Sequence, residues 1–471
     1  MTNFPHNHQK LKLVTTALLF IWTLFIFLPG TYGSDSWTWY TSMTTGIYED
    51  WFGPGLPVIW HLLWSITGSF LALYLLQMLL YWVFVSFLTW NARFFSLHYW
   101  VVMILAVFLI FIPQYVTRDT LFAIFWSLAS LLLLNKNPGN KHKLLTVCIL
   151  ALLLGYGLWI RINALIALIP IVLAAIIALW DHSVMSLWKR LLLSAGISLC
   201  LFVSVQFLTY KVFHAASTYP AYKLKLLDII GITKLSGENY LPRCVSDYPY
   251  FNRDSMMKNY TPATIDNLYW PANSNGPVGT GFIAMSFYPY ANSIIPPPDA
   301  MLYGCVNNSW KTAVKNHPLL YLQNRASGFC YYLGIKKRLN SNEYNNAVLT
   351  SFPGNPLVLQ KQPNYLQSRF GRLYRMLNAT FLFDPWFWLL LNIIAFIGFM
   401  YISRKTGEAF WQINACIQLS GIIYTLSQFT VFQVDTDFRY SFWNVFAALI
   451  AFSALFVKKR NLQIPKPDVE E

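Results

Sequence analysis

Apolar runs of membrane-spanning length recur about ten times along this chain. They lie near residues 13–29, 68–88, 99–113, 119–134, 144–160, 164–180, 191–210, 385–402, 411–432 and 441–457. A helix crossing the hydrocarbon of a bilayer needs roughly 17–25 such residues; the runs at 99–113 and 119–134 are the shortest. Residues 57–67 read as an extra half-helix leading into the second run. Composition agrees with the pattern: 56% of residues are hydrophobic and 11% charged, against roughly 45–50% and about 25% in soluble domains. So little charge cannot cover a soluble surface, which excludes a cytosolic enzyme. The 19 Trp, 28 Tyr and 36 Phe exclude a disordered or fibrous chain. A net charge of +15 within this composition does not describe a nucleic-acid binder. The expectation is an all-α polytopic membrane protein with about ten transmembrane helices.

Orientation follows from Lys and Arg in the connections. With the N-terminus inside, 14 of the 34 basic residues fall in inner connections and tails, against three, Arg118, Arg161 and Arg439, in the short outer connections. Both termini are therefore expected in the cytoplasm. The first run is long for a signal-peptide core and more spans follow it, so it reads as a retained signal-anchor. The other 17 basic residues lie in 211–384, a polar segment rich in Pro, Asn and Tyr with no span-length apolar run. It reads as a large external domain of mixed structure. Its 8 acids leave it at +9, a surface suited to lipid phosphates or an acidic glycan. The divisions expected are a bundle over 1–210 with a first outer loop at 30–67, the external domain at 211–384, spans over 385–457 and a cytoplasmic tail at 458–471.

The chain has no internal repeat. Its Asn-x-Ser/Thr triplets at Asn259, Asn307 and Asn378 fall outside, at a frequency that an Asn-rich segment yields by chance. Of six cysteines, Cys148, Cys200 and Cys416 sit in apolar runs as fillers, and Cys244, Cys305 and Cys330 are external. Cys244 with Cys305 is the preferred bridge because both fall in the irregular part of the segment, but sequence alone leaves the pairing among three open. No Cys-x-x-Cys spacing suggests a structural zinc site.

Ionisable groups inside the bilayer are costly and mark function. Here they are nearly absent from the spans, which argues against an ion-coupled pump or antiporter. They collect instead at one outer depth. Asp35 follows the first run, then Glu49 and Asp50; Arg118 and Asp119 open the fourth; Arg161 and Asn163 join the fifth and sixth; Asp435, Asp437, Arg439 and Tyr440 join the last two. Transfer from a lipid-phosphate donor needs such a set. A carboxylate takes the proton of an acceptor hydroxyl. Arginines hold the departing phosphate by paired hydrogen bonds. A groove open to lipid keeps the polyprenyl tail in the bilayer. Asp35 is the first candidate base and Asp50 the second; Arg118, Arg161 and Arg439 are candidate phosphate ligands. Trp37, Trp39, Tyr40, Tyr48, Trp51 and Phe52 suit either sugar stacking or an interfacial aromatic belt.

In order along the chain, these residues resemble the GT-C superfamily of membrane glycosyltransferases. That superfamily includes lipid-A aminoarabinose transferases, protein O-mannosyltransferases and many O-antigen sugar transferases. The resemblance rests on Asp35-Ser-Trp-Thr-Trp-Tyr, Thr45-Gly-Ile-Tyr-Glu-Asp-Trp51, Arg118-Asp119, Arg161-Ile-Asn163-Ala-Leu, His317-Pro-x-x-Tyr321-x-x-x-Arg325 and Asp437-Phe-Arg439-Tyr440. It covers roughly the first 200 residues and two later islands. It implies a surface helix in the first outer loop and an undecaprenyl-phosphate-linked sugar as donor. It also implies a glycan, lipid or lipid-linked acceptor, and a periplasmic active site in a bacterial inner membrane. His317, Tyr321 and Arg325 enter as supporting residues with Glu49, Asp119, Asn163, Asp437 and Tyr440. The first loop lacks an Asp-x-Asp; the one such triplet is Asp435-Thr-Asp437, which leaves a divalent metal open. No other cofactor is implied. Two other classes remain: a polysaccharide polymerase or O-antigen ligase, which relies on Arg and His in the large loop, and a lipid or glycan flippase, which needs polar residues along a path through the spans.

Overall fold

A computed structural model describes residues 6–32, 34–90, 95–134, 143–180, 185–248, 251–263, 300–336, 365–378, 380–431 and 438–455. The described chain is helical, and its β-type pairing amounts to isolated bridges, Thr31 with Tyr115 and Glu49 with Ala216. In the first half, α1 (His6–Phe27), α2 (Ser34–Thr45), α3 (Gly55–Thr67), α4 (Ala72–Thr89), α5 (Leu97–Phe108), α6 (Phe111–Gln114) and α7 (Arg118–Leu134) lead to α8 (Lys143–Ile160), α9 (Leu165–Leu179) and α10 (Leu187–Phe207). The long segment after α10 holds α11 (Pro220–Ser236), α12 (Arg243–Ser246), α13 (Arg253–Asn259), α14 (Ala300–Asn316), α15 (Pro318–Leu333) and α16 (Tyr365–Asn378). The chain closes with α17 (Pro385–Thr406), α18 (Ala409–Val431) and α19 (Phe442–Leu455).

Among the described residues, eight helical stretches are long and apolar enough to cross a membrane: Gln9–Phe27, Ala72–Thr89, Leu97–Gln114, Lys143–Ile160, Ile162–Leu179, Leu187–Val212, Pro385–Thr406 and Phe438–Leu455. The chain is a multi-pass helical membrane protein. The runs expected at 119–134 and 411–432 form α7 and α18. The first has 17 residues and opens on a charged pair, and the second buries Asn414, Gln418, Ser420 and Gln428. Both lie inside the bundle. The half-helix expected at 57–67 is α3, which stops at Gly68 in the left-handed conformation before α4 begins.

Lipid is as apolar as leucine, so packing and interhelical hydrogen bonds must hold such a bundle together. Outer helices leave apolar side chains exposed, such as Leu18 and Phe25 on α1 and Leu199 and Val203 on α10. Inner ones exchange polar contacts. Ser420 Oγ donates to the Ala167 carbonyl at 2.6 Å and accepts from Trp443 Nε1 at 3.1 Å. Gln418 Nε2 donates to the Ala447 carbonyl at 3.0 Å, and Asn392 Nδ2 to the Asn444 carbonyl at 2.9 Å. Gly157 lets α8 close on α7: a Cβ there would stand 2.6 Å from the Trp126 ring.

The described part of 211–384 is helical, where a mixed structure was expected. Its core packs Tyr222, Leu226, Ile229 and Ile230 of α11 against Val245, Met256 and Val306. Cys244 and Cys305 form a disulfide that ties α12 to α14. Asp228, fully buried, accepts from Arg325 Nη2 at 2.7 Å and from Trp310 Nε1 at 2.9 Å. Burial holds that carboxyl above the usual carboxylate range, against the opposing pull of Arg325 and Trp310.

Candidate active site

One end of the bundle gathers the C-termini of α1, α8 and α10 and the N-termini of α7, α17 and α19. Thr31 N donates to the Gln114 carbonyl at 2.9 Å and Val116 N to the Thr31 carbonyl at 3.0 Å, which binds the end of α1 to the approach of α7. Ser36 Oγ on α2 donates to the Val116 carbonyl at 2.9 Å, so the first turn of α2 abuts the same strand of chain.

The charged step at α7 is set by local sequence. Thr117 Oγ1 accepts from Thr120 N at 3.3 Å, the contact of an N-cap, and starts the helix at Arg118. Asp119 then stands in the first turn, where the helix dipole favours an anion. At the end of α8, Arg161 leaves the helix with φ −135° and ψ 79°, and a single 3-10 turn, Ile162–Ala164, redirects the chain into α9. That break turns the Arg161 side chain inward. A second 3-10 turn, Phe438–Ser441, delivers Arg439 and Tyr440 just before α19.

These pieces converge. Arg161 Nε lies 3.0 Å from Asp119 Oδ1, and Arg439 Nε lies 3.9 Å from Asp119 Oδ2. The Arg161 guanidinium stands 4.9 Å over the Tyr440 ring, and Arg161 Nε donates to the Tyr424 hydroxyl at 3.4 Å. Arg118 Nη1 donates to the Trp51 carbonyl at 2.7 Å and its guanidinium sits 5.4 Å from the Phe52 ring.

In front of this cluster lies a cavity of about 240 Å³, lined among others by Asp50, Trp51, Arg118, Arg161, Asn163 and Tyr210. Its far wall comes from the end of α10 and the start of α11, through Gln206, Thr209, Pro220 and Leu224. Two arginines thus face one space, Arg161 held by the buried Asp119 carboxylate behind it and Arg118 by the Trp51 carbonyl. Such a site suits an anionic oxygen group.

Asp50 is tightly held. Oδ2 accepts from the Tyr210 hydroxyl at 3.0 Å and Ser217 Oγ at 3.1 Å; Oδ1 accepts from Thr218 N and Thr218 Oγ1, both at 2.8 Å. The main chain joins in, with Asp50 N donating to the Ala216 carbonyl at 2.9 Å and Ala216 N to the Tyr48 carbonyl at 2.8 Å. Glu49 belongs to the same bridge.

Of the residues expected from sequence, Arg118, Arg161, Asn163 and Asp50 meet at the cavity, with Asp119, Arg439 and Tyr440 one layer behind. Asp35 is the second residue of α2, next to the Ser36 contact; its side chain lies outside the described residues, as does Asp437. His317, Tyr321 and Arg325 stand apart. Arg325 pairs with Asp228, its guanidinium 5.6 Å from the Tyr321 ring, and His317 Nε2 contacts the Tyr240 hydroxyl at 2.9 Å and Glu238 Oε2 at 3.2 Å. Among the described residues, no three His, Cys, Asp or Glu side chains group as they would around a metal ion. Sequence reasoning missed Tyr424 and the wall at Gln206–Tyr210. Gln206, a lone amide in an apolar run, was the available signal.

Compared with known proteins, the chain matches no family model, no curated protein and no solved structure.

Proposed function

We propose that this chain is a membrane glycosyltransferase that moves a sugar from a polyprenyl-phosphate donor to a glycan, lipid or lipid-linked acceptor. The reading takes ten spans in a GT-C-like arrangement, both termini in the cytoplasm, and the cavity on the periplasmic side of a bacterial inner membrane. The observation that carries it is the pair Arg118 and Arg161 facing one cavity at the end of an apolar bundle, with Arg161 backed by buried Asp119.

In this reading the two guanidiniums hold the donor phosphate while the polyprenyl tail stays in lipid. The acceptor oxygen attacks the anomeric carbon as the bond from that carbon to the phosphate oxygen breaks. The electron pair leaves with the polyprenyl phosphate, whose growing charge the arginines stabilise. The hydroxyl proton passes to a carboxylate, Asp35 first and Asp50 second. The polymerase or ligase reading fits less well, because Arg325 is paired with buried Asp228 and His317 contacts Tyr240 and Glu238 near the surface of that segment, both away from the cavity.

The test is direct. Purified protein in lipid is given polyprenyl-phosphate-linked sugars and a cell-envelope extract as acceptor, and free polyprenyl phosphate is followed. Release that depends on acceptor and disappears in Arg161→Ala supports the reading. No release with any envelope fraction, from protein that remains folded, overturns it.

A further inference from the structure

The helix α16 carries a feature that the proposed transfer does not use. It packs on the cavity end of α1: the Phe370 ring lies 5.3 Å from Phe27 and 6.2 Å from Trp22, Tyr374 lies 5.3 Å from Phe111, and Gln367 Nε2 reaches the Leu28 carbonyl at 3.5 Å. Trp22 and Phe25, just below, belong to the exposed apolar face of a spanning helix. These contacts hold α16 across the end of α1, at the depth where hydrocarbon gives way to head groups.

The two sides of α16 differ. Residues follow each other by about 100° round a helix. With Phe370 and Tyr374 turned onto the bundle, Leu366, Leu373 and Met376 fall together on one flank, 40%, 40% and 73% exposed. Arg372 and Arg375 fall on the other, both exposed, with no ion-pair partner among the described residues. Arg369, also exposed, falls within the apolar flank between Leu373 and Met376, where it donates through Nε to the Tyr365 hydroxyl at 2.9 Å. An apolar flank beside a basic one is the pattern of a helix lying in a membrane interface. Leucine and methionine enter the acyl boundary, and the arginines meet phosphate oxygens.

We infer that α16 is an interfacial helix whose Arg372 and Arg375 bind anionic phospholipid head groups on the cavity side of the membrane. This rests on the multi-pass membrane fold and is independent of the transferase reading. The α16 amides report it. Each arginine at an anionic surface strengthens binding about fivefold, so the pair is worth roughly 25-fold.

The experiment is hydrogen–deuterium exchange on the full chain in nanodiscs of phosphatidylcholine alone and with added phosphatidylglycerol. Exchange of peptides from 365–378 should slow several-fold with phosphatidylglycerol. The effect should be lost in the double variant Arg372→Gln/Arg375→Gln, whose exposed positions leave the fold intact. Peptides from the opposite end, such as those around Arg404, report whether the variant disturbs lipid binding elsewhere and should match the unaltered chain. Inorganic phosphate added to phosphatidylcholine discs should give no slowing. Equal exchange in both discs, retention of the effect by the double variant, or slowing by phosphate alone would each overturn the inference.

Discussion

Arg161 Nε and Asp119 Oδ1 lie 3.0 Å apart with both side chains almost wholly buried, 1% and 2% exposed. A charge so placed is stable only with its partner. Arg439 approaches the other carboxylate oxygen, so one acid serves two cations.

Asp119→Asn should therefore destabilise the bundle by about 3–5 kcal/mol, since it strands buried guanidinium charge. Thermal unfolding in detergent measures this. Removing a charge from both sides, in Asp119→Asn with Arg161→Met, should recover part of the loss. A single variant as stable as the unaltered protein would mean that the arginines find equal partners elsewhere.

Arg161→Ala should weaken donor binding and slow turnover together, because a phosphate contact acts in both ground and transition states. Arg161→Lys should rescue in part, as a point charge lacks the forked geometry. Donor affinity from lipid pull-down and initial rates separate the effects. Unchanged values for both would leave Arg161 a purely structural partner of Asp119.

Asp35→Asn should lower transfer by roughly 10²–10⁴ while leaving insertion and donor binding intact, the usual worth of a general base. Asp50→Asn should act mainly on stability, by about 1 kcal/mol for a half-exposed carboxylate that organises hydrogen bonds. Measuring transfer and thermal stability on the same membranes distinguishes them. The opposite pattern would move the base to Asp50.

Glu238 accepts from the Tyr240 hydroxyl at 2.5 Å and lies 3.2 Å from His317 Nε2, and these hydrogen bonds hold its carboxyl below the ordinary 4.5. A depressed folded value adds stability above the unfolded pKa and loses it as pH falls through the folded one. The domain built on α11, α14 and α15 should therefore weaken below about pH 4.5, and Glu238→Gln should lack that part of the acid dependence. Unfolding curves across pH 3 to 7 (about four units) decide it. Parallel curves for both proteins would exclude Glu238 as a contributor.

Much of the bundle was legible because lipid tolerates so few patterns: a long uncharged run has little choice but to be a helix. The charged steps at Arg118-Asp119 and Arg161-x-Asn163 were legible for the same reason, as isolated costs at the ends of apolar runs. Tyr424 was not, since a tyrosine inside an apolar helix reads as ordinary packing until Arg161 is seen against it. His317 and Arg325 entered only through the family resemblance, as supporting residues. Nothing in their spacing reveals that Arg325 pairs with Asp228, 97 residues earlier, to build the core of another unit. The mixed character expected of 211–384 came from its Pro and Asn content, which marks breaks between helices as readily as strands.

The ladder between Tyr48–Asp50 and Ala216–Thr218 has a mechanical consequence. The polypeptide leaving α10 is riveted to the connection between α2 and α3 within a few residues, before it runs on into α11. Asp50 and Leu224 border the same cavity. The cavity floor and the root of α11 thus form one hydrogen-bonded unit. The residue after Asp50 is Trp51, so the carbonyl that holds Arg118 sits one peptide from the point where the root of α11 is fastened.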